Sequence, residues 1–325
     1  MNTLTSIQSA AELIRQGRTL TIAGPEESLD QLPHGQWIGG TCSYFMLPEG
    51  GTSDVEGKVF VTDLTDVGAC TVRAYDEAQI GRIHDEVPEN GFAIAIVPAG
   101  SASLTRYASE VPNHPLAFER PVAGWVAGVR LADIGQASAK VYDGKTGNKT
   151  DNGVVVVHVT LPPERLATID IVNLFDAGDG DVLTFDEIGM HVRHCLVNGE
   201  RVDFASYLRS RGLDDGKLPL VGDFSGAAIN ASIQRVNDTS VDLYAPVFPQ
   251  VAYRFAKPVA GHAAALRERI AAAPSGGQVF SCNCILNYVH GELEGQAIGG
   301  VAGPMTFGEI GYQLLNQTLV TLRVL

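Results

Sequence analysis

The sequence predicts a protein of the α/β (α+β) class with two lobes, built from mixed β-sheets that helices cover. Apolar runs bounded by turn residues recur along the chain, and they outnumber the segments with a helical pattern. The chain of 325 residues, 45% of them hydrophobic, is long enough for two domains of ordinary size. We expect an N-terminal lobe over residues 1–190 and a C-terminal lobe over residues 191–325.

The N-terminal part is predicted to consist mostly of strands. Runs such as GFAIAIV and VVVVHVTL have the apolar, turn-bounded character of strands covered on at least one face. The predicted elements are a helix at Ser9–Gln16, which Gly17 ends, strands at Arg18–Ala23, Lys58–Thr62, Gly91–Val97, Ala137–Tyr142 and Val154–Leu161, and a β-favouring stretch over residues 36–46. Asp-Gly and Asn-Gly pairs within Asp143–Gly153 predict a hairpin between the last two strands.

The C-terminal part alternates strands with two helices. A glycine directly after Arg211 ends the first helix, and Asn198-Gly199 predicts a turn before it. The predicted helices are Val202–Arg211 and His262–Ala272, and the predicted strands are Ile188–Val197, Ala227–Val236, Val241–Tyr244, Val251–Phe255, Gln278–Cys282 and the final segment Ile310–Leu325. Mixed sheets with helical cover follow from this order.

An acidic, turn-rich segment, Asp176–Glu187, is predicted to connect the two parts. It is twelve residues long and bounded by acidic residues, which invites a calcium-loop interpretation. The register fails, because Gly178 and Gly180 stand where ligands belong and Asp181 stands where glycine makes the sharp turn. A solvated acidic loop is the alternative that the residues favour.

The charge balance limits the classes of partner. The formal charge is -14, with 23 basic and 37 acidic residues, so nucleic acid and anionic membranes are not expected partners. A neutral, zwitterionic or cationic small molecule, or another protein, fits better. No leader pattern or membrane span is visible in the sequence, which predicts a cytoplasmic protein, and the odd number of cysteines, five, predicts reduced thiols.

Three strand-like segments run into paired or nearly paired glycines: WIGGT at residues 37–41, PVAGWVAG at 121–128 and AIGGVAG at 297–303. Glycine in a strand permits close approach by a ligand or by another backbone. Two interpretations stay open, namely backbone converging on a common cavity and tight packing between sheets.

These segments and their neighbours resemble the FIST-domain family. The resemblance rests on GQWIGGTCSYFM, on HPLAFERPVAGWVAG followed by AKVYDGKTGNKTDNGVVVVHV, on QVFSCNC, and on GPMTFGEIGYQLLNQTLVTL, in that order over roughly residues 35–325. It implies an intracellular sensor of small ligands such as amino acids or amines, with a FIST N-like lobe and a FIST C-like lobe. Some family members are described as haem-binding sensors of nitric oxide. Because no output domain follows the C-terminal portion, we expect any signal to pass through a partner protein.

The resemblance and the glycine pattern together predict a ligand pocket between the lobes. The proposed wall residues are Gly39, Gly40, Thr41, Cys42, Tyr44, Cys282, Asn283, Thr306, Phe307, Gly308, Glu309 and Asn316. Glu309 lies between two glycines, where it could hold a ligand ammonium or only accept backbone N–H groups at a turn. Strand alternation would place Asn316 and Thr318 on one face and Gln317 on the other.

Two further functions compete with ligand binding. An enzyme could use the same cleft, with Glu309 as acid or base and a cysteine as nucleophile, and a carboxylate beside a thiol would favour it. His191 and His194 could share a face and bind a metal on a helix, but the residues after them favour a strand, and Cys282-Asn283-Cys284 is too tight for a common zinc spacing. A single haem ligand could come from His158, His191, His194 or His290.

Overall fold

The computed structural model describes residues 2–224, 226–274 and 276–325. Strands make up 42% of the structure and helices 19%, in several mixed sheets. This composition confirms the predicted α/β (α+β) class.

The elements before residue 188 are mostly strands. The strands are β1 (Asn2–Ser6), β2 (Leu20–Gly24), β3 (Trp37–Thr41), β4 (Phe45–Leu47), β5 (Gly50–Thr52), β6 (Lys58–Asp63), β7 (Ala69–Tyr75), β8 (Gly91–Pro98), β9 (Val122–Ala127), β10 (Val141–Asp143), β11 (Asn148–Thr150), β12 (Val154–Thr160), β13 (Ala167–Asn173) and β14 (Leu183–Thr184). The helices are α1 (Ile7–Arg15), α2 (Glu26–Leu29), α3 (Arg82–Asp85) and α4 (Ala102–Glu110), and short 3₁₀ turns cover Glu77–Gln79, Val111–Asn113 and Leu131–Asp133.

The elements from residue 189 onward are also mostly strands. The strands are β15 (Gly189–Val192), β16 (His194–Val197), β17 (Glu200–Asp203), β18 (Leu220–Phe224), β19 (Ala227–Ala231), β20 (Ile233–Val236), β21 (Val241–Val247), β22 (Tyr253–Phe255), β23 (Gln278–Cys284), β24 (Gly303–Thr306), β25 (Glu309–Gly311), β26 (Gln313–Leu315) and β27 (Thr318–Val324). The helices are α5 (Phe204–Arg211), α6 (His262–Ala272) and α7 (Ile285–His290).

Several predicted boundaries were wrong, each for a local reason. Helix α5 begins two residues late, because Val202 still pairs with Cys195 in a β-hairpin and the side chain of Asp203 caps the helix. The predicted strand at Ala137–Tyr142 begins only at Val141. The final segment forms three strands instead of one, since Tyr312 and Gln317 adopt positive φ angles of 64° and 53° that interrupt the extended chain.

Strands from both ends of the chain share two of the sheets. One sheet has the order β26-β25-β9-β8-β12-β7 and another the order β13-β27-β23-β24-β4-β5. A large apolar cluster includes Phe45, Ile96, Trp125, Phe280 and Val320, contributed by five strands of these two sheets. The lobe boundary at residue 190 stays a prediction, but two sheets hold strands from either side of it.

Residues 183–255, which we call the inserted module, have sheets and a core of their own. Their strands form the order β17-β16-β14-β22-β18-β19 and a small sheet β15-β21-β20, and helix α5 packs on them. The chain enters and leaves the module at adjacent points: the N–H of Gly178 donates to the carbonyl of Phe255 at 2.8 Å, and that of Lys257 to Asp176 at 2.9 Å. The module is therefore an insertion in the chain between β13 and α6.

The described α-helices range from four residues in α2 and α3 to eleven in α6. None of them combines the length and the apolar character needed to cross a membrane.

Candidate functional site

The two sequence regions predicted to face each other are in contact. Strand β24 pairs with β4, and β25 pairs with β9. The N–H of Met305 donates to the carbonyl of Tyr44 at 2.8 Å, and that of Gly128 donates to Thr41, also at 2.8 Å. The segments around β4 and β9 are thus in contact with the segments around β24 and β25.

Close packing accounts for the glycines at this junction. A Cβ atom on Gly40 would lie 2.6 Å from Ile96, and one on Gly128 would lie 2.0 Å from the ring of Phe307. Gly124, with φ +150°, brings its Cα so near to β8 that a Cβ would lie 1.9 Å from a backbone oxygen. Of the two interpretations of the glycine segments, the structure supports tight packing between strands at Gly40, Gly124 and Gly128, whereas a Cβ on Gly299 or Gly300 would meet no atom closer than 3.6 Å.

The twelve predicted wall residues lie at or next to this junction. Tyr44 and Phe307 are partly buried, and the buried ones are Gly39, Gly40, Thr41, Cys42, Cys282, Asn283, Thr306, Gly308, Glu309 and Asn316. Thr41 lines a small pocket of about 130 Å³ together with Ser43, Gly128 and Arg130. Most of this region is protein interior, not the wall of a cleft.

Glu309 is completely buried, and its carboxyl group is surrounded by hydrogen-bonding groups. The hydroxyl and the backbone N–H of Thr318 donate to Oε2 at 2.8 and 3.2 Å, and the hydroxyl of Thr306 lies 3.3 Å from Oε1. Burial raises the pKa of Glu309 to about 8, although bonds from Thr318, Cys284 and Thr306 act in the opposite direction.

The hydrogen-bond pattern fits a protonated Glu309. The Thr306 hydroxyl also lies 3.2 Å from the carbonyl oxygen of Asn283, which can only accept. A hydroxyl has one proton, so when Thr306 donates to Asn283 it accepts from a proton on Oε1 of Glu309. In this arrangement the Thr306 hydroxyl and both oxygens of Glu309 have partners, and Glu309 is a neutral acid that offers no charge to a ligand ammonium.

The cysteines near Glu309 are buried neutral thiols. Burial, with the neighbouring Glu309 carboxyl, raises the pKa values of Cys282 and Cys284 well above the ordinary value of a thiol. Burial also raises the pKa of Cys42 to about 12, and its Sγ lies 3.2 Å from the carbonyl oxygens of both Tyr44 and Met305, either of which can accept its one proton. A nucleophilic thiolate needs the opposite environment.

A buried layer of amide side chains continues from Glu309. The hydroxyl of Ser232 contacts both Asn316 Oδ1 and Gln317 Oε1 at 2.5 Å. The predicted alternation of Asn316 and Gln317 between faces was wrong, because the positive φ of Gln317 breaks the strand there. The side-chain amide nitrogens of Asn283, Asn316 and Gln317 are buried with no hydrogen-bond partner among the described residues.

This polar layer connects to a surface pocket through two amide side chains. Asn287 donates to Asn283 Oδ1 at 2.9 Å, and its own Oδ1 lies 3.1 Å from Nε2 of His262. His262 is the first residue of α6 and lies on the pocket wall. Burial lowers the pKa of His262, so the imidazole is neutral at neutral pH.

The pocket has a volume of about 510 Å³ and lies between the inserted module and helices α6 and α7. Burial lowers the pKa of His290, the second imidazole of the pocket. Asp215 and Lys217 form an ion pair of 3.4 Å at its edge. We call this the interface pocket, and its lining residues are Phe175, Gly212, Leu213, Asp215, Lys217, Leu218, Pro258, Val259, His262, Val289, His290 and Glu292.

The sequence reasoning did not find the interface pocket. Its lining comes from four separate segments, near residues 175, 212–218, 258–262 and 289–292, and none carries a recognisable motif. His290 is one of the haem ligands that the sequence offers, whereas the other lining residues belong to no predicted site. A usable signal was the pair His262 and His290. His262 begins the predicted helix, and His290 follows the predicted strand Gln278–Cys282.

His191 and His194 lie on two different strands. Nδ1 of His191 lies 2.6 Å from Asp242, its partner across β15 and β21, and His194 begins β16. In the part of the chain that the structure describes, no group of three or more His, Cys, Asp or Glu side chains is arranged to hold a metal ion. Asp181, in the acidic connecting segment, is engaged by Asn198, Tyr207 and Arg211.

The fold and the pocket define a mixed α/β protein with an inserted module and a concave site at its junction. A family model described as a family of unknown function (DUF6976) matches residues 5–325, and the chain belongs to this family. A search of curated proteins found no match. The resemblance to FIST proteins stays an interpretation of the motifs.

Proposed function

We propose that this protein binds a small amphipathic amine, such as an amino acid with an apolar side chain, in the interface pocket. The observation that carries the proposal is the composition of this 510 Å³ concavity, in which apolar residues lie beside carboxylates. Pockets of this size that combine an apolar surface with a few polar groups are the usual sites for small ligands.

Each part of the ligand has a matching group in the pocket. Phe175, Leu218 and Val259 provide apolar surface for a hydrocarbon body. Glu292 forms no ion pair with any described residue, so its carboxylate is available to an ammonium group. Lys217, which pairs with Asp215 at the pocket edge, is placed to meet a ligand carboxylate. The neutral imidazole of His290 offers one donor and one acceptor, whereas that of His262, whose Nε2 donates to Asn287, offers only its Nδ1 acceptor.

We also propose that the protein senses this ligand, because of the position of the pocket between two parts of the fold. Its lining combines Gly212–Leu218 of the inserted module with residues of α6 and α7 outside it. A ligand that contacts both parts favours the arrangement in which they are close together. We propose that a partner protein recognises the arrangement that the ligand favours.

A thermal-shift screen with amino acids, polyamines and nucleotides tests the proposal. For an amine that raises the melting temperature, Glu292→Gln should weaken binding about tenfold, because a charge-assisted hydrogen bond is lost. Both His191→Gln, which changes a distant exposed histidine, and Glu309→Gln, which changes a buried acid, should leave the affinity unchanged. Equal binding by Glu292→Gln and the unmodified protein, or loss of binding in Glu309→Gln alone, would contradict the proposal.

Haem binding is a second candidate, favoured by the presence of two imidazoles in the same pocket. His262 and His290 both line it, and either could provide an axial ligand. Protein prepared with haem supplied should then show a Soret band that His290→Ala or His262→Ala shifts or removes. Colourless protein under these conditions excludes this candidate.

A further inference from the structure

We propose a second binding site, specific for the phosphate group of a small molecule, in a cleft of the N-terminal part of the fold. The cleft has a volume of about 330 Å³ and lies between the edge strand β7 and the turn of the β10–β11 hairpin. We call it the basic pocket, and its lining residues are Val72, Arg73, Ala74, Tyr75, Gln79, Arg82, Glu86, Asp143, Lys145 and Thr146.

The charge of this cleft is opposite to that of the chain. Three of its lining residues are cationic and two are anionic, which leaves a formal charge of +1 in a protein whose formal charge is -14. A local concentration of cations in an acidic protein attracts small anions, while the surrounding negative charge repels polyanions such as nucleic acid.

The two carboxylates of the basic pocket are already engaged by the protein. Asp143 is buried and accepts hydrogen bonds from the backbone N–H of Lys145 at 3.0 Å and from the Thr146 hydroxyl at 2.7 Å. Glu86 accepts from Arg82 and lies 3.0 Å from Nε of Arg73. Asp143 therefore holds the turn at Lys145 and Thr146, and Glu86 holds the two arginines.

The cations keep donors for a ligand. Each guanidinium has five N–H groups and contacts Glu86 through one nitrogen, Nε in Arg73 and Nη2 in Arg82. The Lys145 ammonium forms no ion pair within the described residues, and its side chain is exposed. Two braced guanidiniums and one ammonium are the donor set that phosphate oxygens prefer.

Tyr75 links Glu86 of the basic pocket to His158 through hydrogen bonds. The hydroxyl of Tyr75 donates to Glu86 at 2.9 Å and lies 2.7 Å from Nε2 of His158. Since the tyrosine proton goes to Glu86, Tyr75 accepts from His158, which places the imidazole proton on Nε2. Through Glu86, Tyr75 helps to orient the guanidinium groups of Arg73 and Arg82, whose side chains are 54% and 62% exposed.

Titration of inorganic phosphate into the protein, at constant ionic strength maintained with chloride, tests this site. Amide resonances of residues 143–148 and 73–86 should shift with saturation. Lys145→Met should raise the dissociation constant for phosphate about tenfold, because it removes one charge-assisted contact. Because Lys145 is exposed, this variant should melt at the temperature of the unmodified protein.

Lys217→Met is the matched control, since it removes an exposed lysine from the interface pocket and leaves the basic pocket unchanged. It should bind phosphate as tightly as the unmodified protein. The proposal is overturned if the shifts do not saturate, if Lys145→Met binds phosphate normally, or if both lysine variants lose affinity equally. None of these outcomes bears on amine binding at the interface pocket, so the two proposals fail separately.

Discussion

At the scale of single residues, Glu309 shows how far a motif can be interpreted without a structure. Its position between glycines suggested either a ligand contact or a structural acceptor, and the structure gives it buried partners, Thr306, Thr318 and Cys284. Whether its carboxyl group is charged depends on burial and on the number of donors around it. Neither quantity is visible in a Gly-Glu-Ile-Gly sequence, because the donors come from other strands.

A pH titration of stability tests the protonation of Glu309. Its pKa is about 8 in the folded protein and 4.5 ordinarily, so the folded state binds the proton more tightly. Its stabilising contribution is complete below pH 4.5 and is lost as the pH rises through 8, with a slope of about 1.4 kcal/mol per pH unit between these values. Glu309→Gln keeps the shape of the neutral acid, and we expect it to remove this slope.

Free energies of unfolding from urea titrations at several pH values within that window measure the slope. Glu292→Gln, which changes an exposed acid, serves as the control and should retain the slope of the unmodified protein. If Glu309→Gln and the unmodified protein give parallel curves, Glu309 is ionised in the folded state.

At the scale of elements, prediction succeeded where the ends of an element are determined locally. Helix α6 was predicted with its observed bounds, and α5 ends at Arg211 because Gly212 adopts the left-handed conformation, with φ 63°. Strand β7 was missed, since its edge position leaves most of its side chains exposed and no apolar run marks it. Edge strands owe their conformation to a partner strand, which a local pattern does not reveal.

The N-cap of α5 gives a prediction at this scale. The carboxylate of Asp203 accepts from the backbone N–H of Ser206 at 2.7 Å, and bonds from Ser206 lower the pKa of Asp203. Asp203→Ala should lower the free energy of unfolding by about 1 kcal/mol, while Asp203→Asn should have a smaller effect. Chemical denaturation at neutral pH measures this, with Asp214→Ala at an exposed position as the control. An equal loss from Asp203→Ala and Asp214→Ala would show that the cap contributes nothing.

At the scale of the whole molecule, the chain is interleaved, not divided in sequence order. Strand β13 pairs with β27, β9 pairs with β25, and β4 pairs with β24, so the final strands complete sheets that began near the N-terminus. The inserted module differs, because its core residues all lie between Leu183 and Tyr253. The unit that the structure separates is thus shorter than the predicted C-terminal lobe and lies within the middle of the chain.

Fragments of the chain test this organisation. A fragment of residues 1–190 should show no cooperative thermal transition by circular dichroism, because strands β23–β27 are removed from its sheets and core. A fragment of residues 176–257 should melt cooperatively, since its sheets and core are local and its ends adjoin. A cooperative transition in the first fragment would support the two-lobe division at residue 190 instead.

The sequence by itself determined the α/β class, the two longest helices of the C-terminal part and most central strands. Apolar periodicity, caps and turn residues act over a few positions, so a linear pattern contains them. Only the tertiary structure decided which strands pair, that Glu309 is enclosed, and that the interface pocket and the basic pocket lie away from Glu309. The interface pocket and the basic pocket each gather residues more than sixty positions apart, and such proximity arises from strand pairing and packing, which no local pattern encodes.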